Sequence, residues 1–100
     1  MPEQKIDIKL NEEVAQGIYS NLAIISHSNT EFVLDFVSIL PGMQKGNVRS
    51  RIIMTPQNAK RLLQALADNV TKFEQQSGVI EDNQQRGGEI PPIINGGGFA

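Results

Sequence analysis

Two neighbouring runs of the sequence, read as β-strands, are apolar on both faces, and this feature constrains the fold most. Residues 18–28 and 31–40 are rich in β-branched and aliphatic side chains. The His27-Ser28-Asn29-Thr30 segment between them is typical of a turn. The two runs therefore predict a β-hairpin with two apolar faces. Because monomers rarely expose large apolar patches, both faces of this hairpin are expected to be covered.

Further strands are predicted on either side of the hairpin. Residues 5–10 alternate strictly between polar and apolar side chains, which indicates a strand with one apolar face. Pro41 lacks a backbone donor and Gly42 adopts turn conformations readily, so the second hairpin strand is expected to end there. Residues 48–54 then predict a third consecutive antiparallel strand.

One long amphipathic helix is predicted after the strands, over residues 56–77. Thr55 can cap its first backbone N–H groups, Pro56 fits the first helical position, and Gly78 suits the C-terminal cap. A continuous apolar stripe runs along it: Ala59, Leu62, Leu63, Leu66, Val70 and Phe73. The sequence therefore predicts an α+β fold in which an antiparallel sheet of three to four strands precedes one C-terminal helix. The helix, about 33 Å long, covers one sheet face and has length to spare.

A change of composition divides the chain into a domain and a tail. Residues 1–80 are predicted to form a single α+β domain, and the polar, glycine-rich residues 81–100 a flexible tail. One apolar, proline-stiffened segment interrupts this tail: Ile90, Pro91, Pro92, Ile93 and Ile94. It is predicted to be a short docking segment for a partner, and contact with its own domain is an equally good interpretation.

The second apolar face of the hairpin predicts self-association. Burial of even 400 Å² per subunit would favour association by roughly 10 kcal/mol before its costs are counted. A homo-oligomer, with a dimer favoured, is the simplest arrangement. The alternative is that the N-terminal strand or the tail covers this face. The residues predicted at the interface are Tyr19, Ile25, Val33, Val37 and Ile39.

The charge of the chain is unevenly distributed although the net charge is only −2. Residues 44–64 contain five basic residues and no acidic one. This basic patch consists of Lys45, Arg49, Arg51, Lys60 and Arg61. It could bind phosphates of a nucleic acid, or pair with acidic residues of the strands. Asp35 interrupts an apolar strand face, so we expect it to form an ion pair with Arg49 or Arg51 on the next strand.

The residues needed for catalysis or metal binding are scarce. His27 is the only histidine and lies in the predicted turn, and the chain has no cysteine. No catalytic residues, no metal site and no cofactor are therefore predicted, and the chain is not expected to be an enzyme. The N-terminal residues lack the apolar run of a secretory signal, and no stretch could span a bilayer. We therefore expect a cytoplasmic protein that does not bind membranes.

Several blocks of the sequence resemble a known family. These blocks are Tyr19–Leu22, Ser28–Phe36, Ser50–Pro56, Ala59–Leu63 and Leu66–Asn69. In this order they resemble a bacterial domain-of-unknown-function family, the one numbered 3467, over roughly residues 6–80. The resemblance implies a compact fold and no particular activity, and it supplies no catalytic residues.

These observations together predict a non-enzymatic, homo-oligomeric binding or adaptor module. It would recognise protein or peptide through an apolar sheet surface. The alternative is single-stranded nucleic-acid binding through residues 45–61, in which case affinity would depend steeply on salt concentration.

Overall fold

The computed structural model describes residues 5–82 and 93–98 of the chain. Within these residues the fold is α+β, with three antiparallel strands followed by a long helix, which confirms the fold class predicted from the sequence. The elements in chain order are α1 (Glu12–Ala15), β1 (Leu22–His27), β2 (Phe32–Ser38), β3 (Asn47–Met54), α2 (Pro56–Ser77) and β4 (Ile93–Gly98).

The predicted hairpin is formed by β1 and β2, and its turn is held by local hydrogen bonds. The backbone N–H of Ser28 donates to the carbonyl oxygen of Glu31 at 2.8 Å. The hydroxyl oxygen of Ser28 accepts from the backbone N–H groups of Thr30 and Glu31. The turn leaves His27 directly opposite Phe32, and their rings stack with centroids 5.4 Å apart. This turn therefore fixes the register of the whole hairpin.

The turn after β2 has the chemistry that Pro41 and Gly42 predict. The N–H of Met43 donates to the carbonyl oxygen of Leu40 at 3.1 Å, which closes a four-residue turn. Gly42, at the third position, has a φ of 82°. A positive φ at this position, preceded by proline, is the type II turn, where glycine is strongly favoured because it has no Cβ.

The strand order in the sheet is β3-β2-β1-β4. The first three strands pair antiparallel, whereas β4 pairs parallel to β1, with Ile93 opposite Ala23 and Ile94 opposite Ile24. The sequence predicted a flexible tail over residues 81–100, yet part of it is this fourth strand. Residues 83–92 lie outside the described residues, so the flexibility of the tail stays a prediction.

The first two predicted strands differ from the structure. Residues 5–10 contain no strand or helix, and the side chain of Ile8 is 91% exposed. Alternation alone cannot form a strand, because a strand needs a neighbour for its backbone hydrogen bonds. The second run begins its strand at Leu22 and not at residue 18, since Ser20 and Asn21 bind β2 through their side chains.

A polar clasp joins the start of β1 to the end of β2. The side-chain amide of Asn21 donates to the carbonyl oxygen of Ile39 at 2.8 Å, and its amide oxygen accepts from the N–H of Ile39 at 2.9 Å. The hydroxyl of Ser20 lies 3.1 Å from the carbonyl oxygen of Val37, and that of Ser38 donates to the carbonyl oxygen of Tyr19. Asn21 thus replaces a backbone pair and extends the ladder by one position.

Helix α2 has the predicted bounds but not the predicted position. The hydroxyl of Thr55 accepts from the N–H of Asn58 at 3.1 Å, and Gly78 follows the last turn with a φ of 89°. Within the described residues the close contacts run between the strands, and α2 makes no comparable contact with the sheet. The expectation that α2 covers a sheet face was therefore wrong. Thr55 alone connects β3 to α2, so the conformation of this one residue sets the direction in which the helix leaves the sheet.

The clasp gives a first prediction. Replacement of Asn21 by Ala removes both hydrogen bonds to Ile39, so we expect the free energy of unfolding to fall by about 1 kcal/mol. Urea unfolding followed by circular dichroism measures this change. Asn29→Ala, in the exposed hairpin turn, is the matched control and should have a clearly smaller effect. Equal values for the two variants would show that the clasp does not stabilise the sheet.

Candidate interaction surface

Cross-strand pairing assigns each strand residue to one of two sheet faces, because directly opposed residues share a face. One face, here called the Asp35 face, carries Leu22, Ile24, Ser26, Val33, Asp35, Val37, Val48, Arg51 and Ile53. The other, the Phe36 face, carries Ala23, Ile25, His27, Phe32, Leu34, Phe36, Ser50, Ile52 and Met54. Both faces are largely apolar, as the sequence predicted.

The predicted interface residues do not share one face. Ile25 pairs with Leu34 and so belongs to the Phe36 face, whereas Val33 and Val37 belong to the Asp35 face. All five are odd-numbered, and alternation along a single strand would place odd-numbered residues on one face. The turn pairs His27 with Phe32, so odd-numbered residues of β1 oppose even-numbered residues of β2. Parity within one strand cannot define a face across two strands unless the turn is known.

Four of the five predicted interface residues are wholly or partly covered by their own chain: Val33 and Val37 are buried, and Ile25 and Ile39 are half-buried. Val37 is only 4% exposed and Ile39 is half-buried. Gly46 packs against both: a Cβ atom at this position would lie 2.9 Å from Cγ1 of Val37 and 2.9 Å from Cγ1 of Ile39. The loop before β3 therefore closes this part of the Asp35 face. Tyr19 remains exposed, beside the clasp.

Asp35 and Arg51 form the ion pair that the sequence predicted. Nε of Arg51 lies 2.7 Å from Oδ1 of Asp35, and NH2 of Arg51 lies 2.9 Å from Oδ2. This bidentate geometry is the strong form of the interaction. Hydrogen bonds from Arg51 lower the pKa of Asp35; burial opposes this shift, and the charge of Arg51 adds to it. The same pair raises the pKa of Arg51.

The basic patch is dispersed over three elements. Lys45 lies in the loop before β3, Arg49 and Arg51 lie on β3, and Lys60 and Arg61 lie in the first half of α2. All five residues are exposed. The guanidinium of Arg51 is bound by Asp35, so only the other four residues are candidates for binding an external anion.

An open apolar cleft lies on the Phe36 face, next to β3. It encloses about 570 Å³ and is lined by Phe36, Ser50 and Ile52 from the sheet and by Val14, Ile18 and their neighbours from the segment before β1. β3 is the edge strand of the sheet, and no strand pairs with its outer side within the described residues. The cleft was not predicted from the sequence. The sequence predicts a strand that begins at Ile18, whereas in the structure Gly17 has a φ of 75° and redirects the chain before Ile18.

The apolar stripe of α2 is open in the single chain. Leu63 is 66% exposed and Phe73 is 52% exposed, and Leu62, Leu66 and Val70 are also exposed. The sheet adds exposed apolar residues next to its edge: Val48, Ile52 and Ile53. A single copy of the chain thus leaves an unusually extended apolar surface on both its helix and its edge strand.

Other predicted features have no assembled site in the described residues. Ile90, Pro91 and Pro92 lie outside them, whereas Ile93 and Ile94 belong to β4. Over residues 5–82 and 93–98, no cluster of three His, Cys, Asp or Glu side chains could hold a metal ion. Neither helix in this part of the chain is both long and apolar enough to cross a membrane.

The ion pair gives a second prediction. Arg51→Gln removes the cation and leaves Asp35 buried, so its pKa should rise from below to above its ordinary value of about 3.9. In the wild type, the contribution of Asp35 to stability is present above that value and is lost as the pH falls through the lowered pKa. In the variant, this contribution reverses sign and is lost as the pH rises.

A pH titration of the Asp35 carboxyl carbon by NMR measures this shift directly. Arg49→Gln, on the same strand, is the matched control and should leave the pKa of Asp35 low. If Asp35 titrates identically in Arg51→Gln and the wild type, the ion pair does not control its charge.

The family model described as "Protein of unknown function (DUF3467)" matches residues 1–82, which include β1, β2, β3 and α2. No curated protein and no solved structure matches the chain. Because the matched residues make up most of the chain, this protein belongs to the DUF3467 family.

Proposed function

We propose that this protein is a non-enzymatic, homo-oligomeric binding module that recognises a protein or peptide through an apolar surface of its sheet. The observation that carries the proposal is the exposed apolar surface of one copy, on α2 and beside β3. Burial of such a surface is the main driving force of protein association.

The edge of the sheet next to β3 has the features of a peptide site. β3 is a terminal strand, and a bound segment can add to such an edge through main-chain hydrogen bonds. The apolar cleft next to it offers Phe36, Ile52 and Ile18 as a pocket for alternate side chains of that segment. Arg49 and Lys45 lie near this edge and outnumber Glu13, the acidic residue in the cleft lining, so an acidic segment is favoured over a basic one.

Self-association is supported by the stripe of α2, which faces neither sheet surface. A helix with one apolar face is stable in water when that face packs against another surface. In this chain the sheet does not cover the apolar face of α2. The ion pair of Asp35 and Arg51 supports a structural and not a catalytic role for the buried carboxylate, because both carboxylate oxygens are bound by the guanidinium.

The oligomeric state gives a third prediction. The molecular mass measured by light scattering after size exclusion should be at least twice the 11.0 kDa of one chain. It should fall towards 11.0 kDa on dilution with a single dissociation constant. A mass of one chain at all concentrations would overturn the homo-oligomeric part of the proposal.

The peptide site gives a fourth prediction. Fluorescent acidic peptides that alternate apolar and polar residues should bind the wild type, and Ile52→Lys should weaken that binding about tenfold. Gln57→Lys is the matched control, since it adds the same charge at an exposed position outside the cleft. Anisotropy titrations measure the affinity of each variant for the peptides. If no such peptide binds the wild type, or if Ile52→Lys binds the peptides as tightly as the wild type, the proposed site is wrong.

Nucleic-acid binding is the alternative, and the exposure of Lys45, Arg49, Lys60 and Arg61 is the observation that favours it. The same anisotropy assay with a fluorescent single-stranded oligonucleotide separates the two functions. Oligonucleotide binding that weakens steeply with salt, together with no peptide binding, would replace the peptide proposal by this one.

A further inference from the structure

Apart from Leu63, whose mirror position holds the polar Asn69, the stripe of α2 is symmetric about its centre, Leu66. Leu62 precedes Leu66 by four residues and Val70 follows it by four, while Ala59 precedes it by seven and Phe73 follows it by seven. Two copies of this helix packed antiparallel around Leu66 would place Leu62 opposite Val70. The small Ala59 would lie opposite the large Phe73, the alternation of size that close packing favours.

The charges beside the stripe fit the antiparallel arrangement. At 100° per residue, Lys60 and Glu74 lie on the same border of the stripe, near its two ends. When two identical helices pack antiparallel, equivalent borders meet, because the two-fold axis is perpendicular to both helices. Along the helix axis, Glu74 of one copy then lies level with position 58 of the other copy. This level is about 3 Å from Lys60, which lies on the same border as Glu74. Two symmetric pairs of opposite charge result.

A parallel arrangement lacks these pairs. Opposite borders of the stripe then meet, and Glu74 of one copy lies about 3 Å along the axis from Lys72 of the other, so the charges permit either orientation. The dipoles of the two helices would also be aligned side by side, which is unfavourable. The alternation of size and the helix dipoles therefore select the antiparallel orientation.

Glu74 is free to take part in such a pair. One of its oxygens, Oε2, accepts the backbone N–H of Ile80 at 2.8 Å, which fixes the position of the carboxylate at the end of α2. A carboxylate oxygen can accept more than one hydrogen bond, and Oε1 is a second acceptor. Lys60 is exposed in the first half of the same helix.

We infer that the occupant of the α2 stripe is α2 of a second copy of this chain, packed antiparallel with Leu66 at the two-fold axis. This inference rests on the homo-oligomer proposed above and specifies its interface. It leaves the cleft and the outer edge of β3 outside the helix contact. The dimer would therefore have two peptide sites, one for each copy.

Single cysteines test the orientation, since the natural chain has none. With a short thiol–thiol cross-linker, Leu66→Cys should yield covalent dimers by itself, whereas Ala59→Cys alone should not. An equimolar mixture of Ala59→Cys and Phe73→Cys should cross-link. Efficient cross-linking of Ala59→Cys alone would show a parallel pair. If light scattering finds a dimer in which none of these cysteines cross-link, the inference fails while the homo-oligomer stands; a monomer would overturn both.

Charge exchange tests the register independently. Lys60→Glu should raise the dissociation constant of the dimer about tenfold, because two attractive pairs become repulsive. The double variant Lys60→Glu/Glu74→Lys should restore affinity to near that of the wild type. Lys72→Glu is the matched control: Lys72 lies near Glu74 of the other copy only in a parallel pair, so this variant should not raise the dissociation constant, and a tenfold rise would contradict the antiparallel orientation. Failure of the double variant to restore affinity, with both variants helical by circular dichroism, would overturn the register.

Discussion

The one-residue connection between β3 and α2 determines how the rest of this molecule is used. Thr55 is extended, with φ −70° and ψ 155°, and its side chain caps the helix that begins at Pro56. Cap and proline both require the helix to begin at this position, so the conformation of Thr55 sets the direction in which the helix leaves the sheet. The strongest local signal in the sequence thus produces an open structure, in which the apolar stripe of α2 is exposed.

Because α2 leaves the sheet, the sheet is held by its own polar contacts to an unusual degree. The amide of Asn21 replaces a backbone pair with Ile39, and Arg51 neutralises the one carboxylate that the Asp35 face buries. The backbone of Gly46 then covers Val37 and Ile39, and a side chain at position 46 would not fit against them. These contacts close the centre of the sheet within one chain. The exposed apolar residues remain where such contacts end, at β3 and on the helix.

The sequence predicted those features whose causes are local. The bounds of α2 follow from Thr55, Pro56 and Gly78, and the pairing of Asp35 with a β3 arginine follows from the cost of burying a charge. The features that the sequence could not predict depend on the geometry between strands. Which of Ile25, Val33 and Val37 lie on the same face depends on the number of residues in the turn at Ser28. Residues 5–10 alternate like a strand, but no neighbouring strand pairs with them.

The two apolar surfaces of the chain differ in the kind of partner that fits them. The stripe on α2 is straight, centred on Leu66 and bordered by Lys60 and Glu74, so it is complementary to itself and suits a symmetric contact. The surface at β3 has an apolar cleft on one face, an unpaired backbone edge and a border with Lys45 and Arg49. Because these two surfaces lie on different elements, we propose that one molecule assembles through the first surface and binds a different chain through the second.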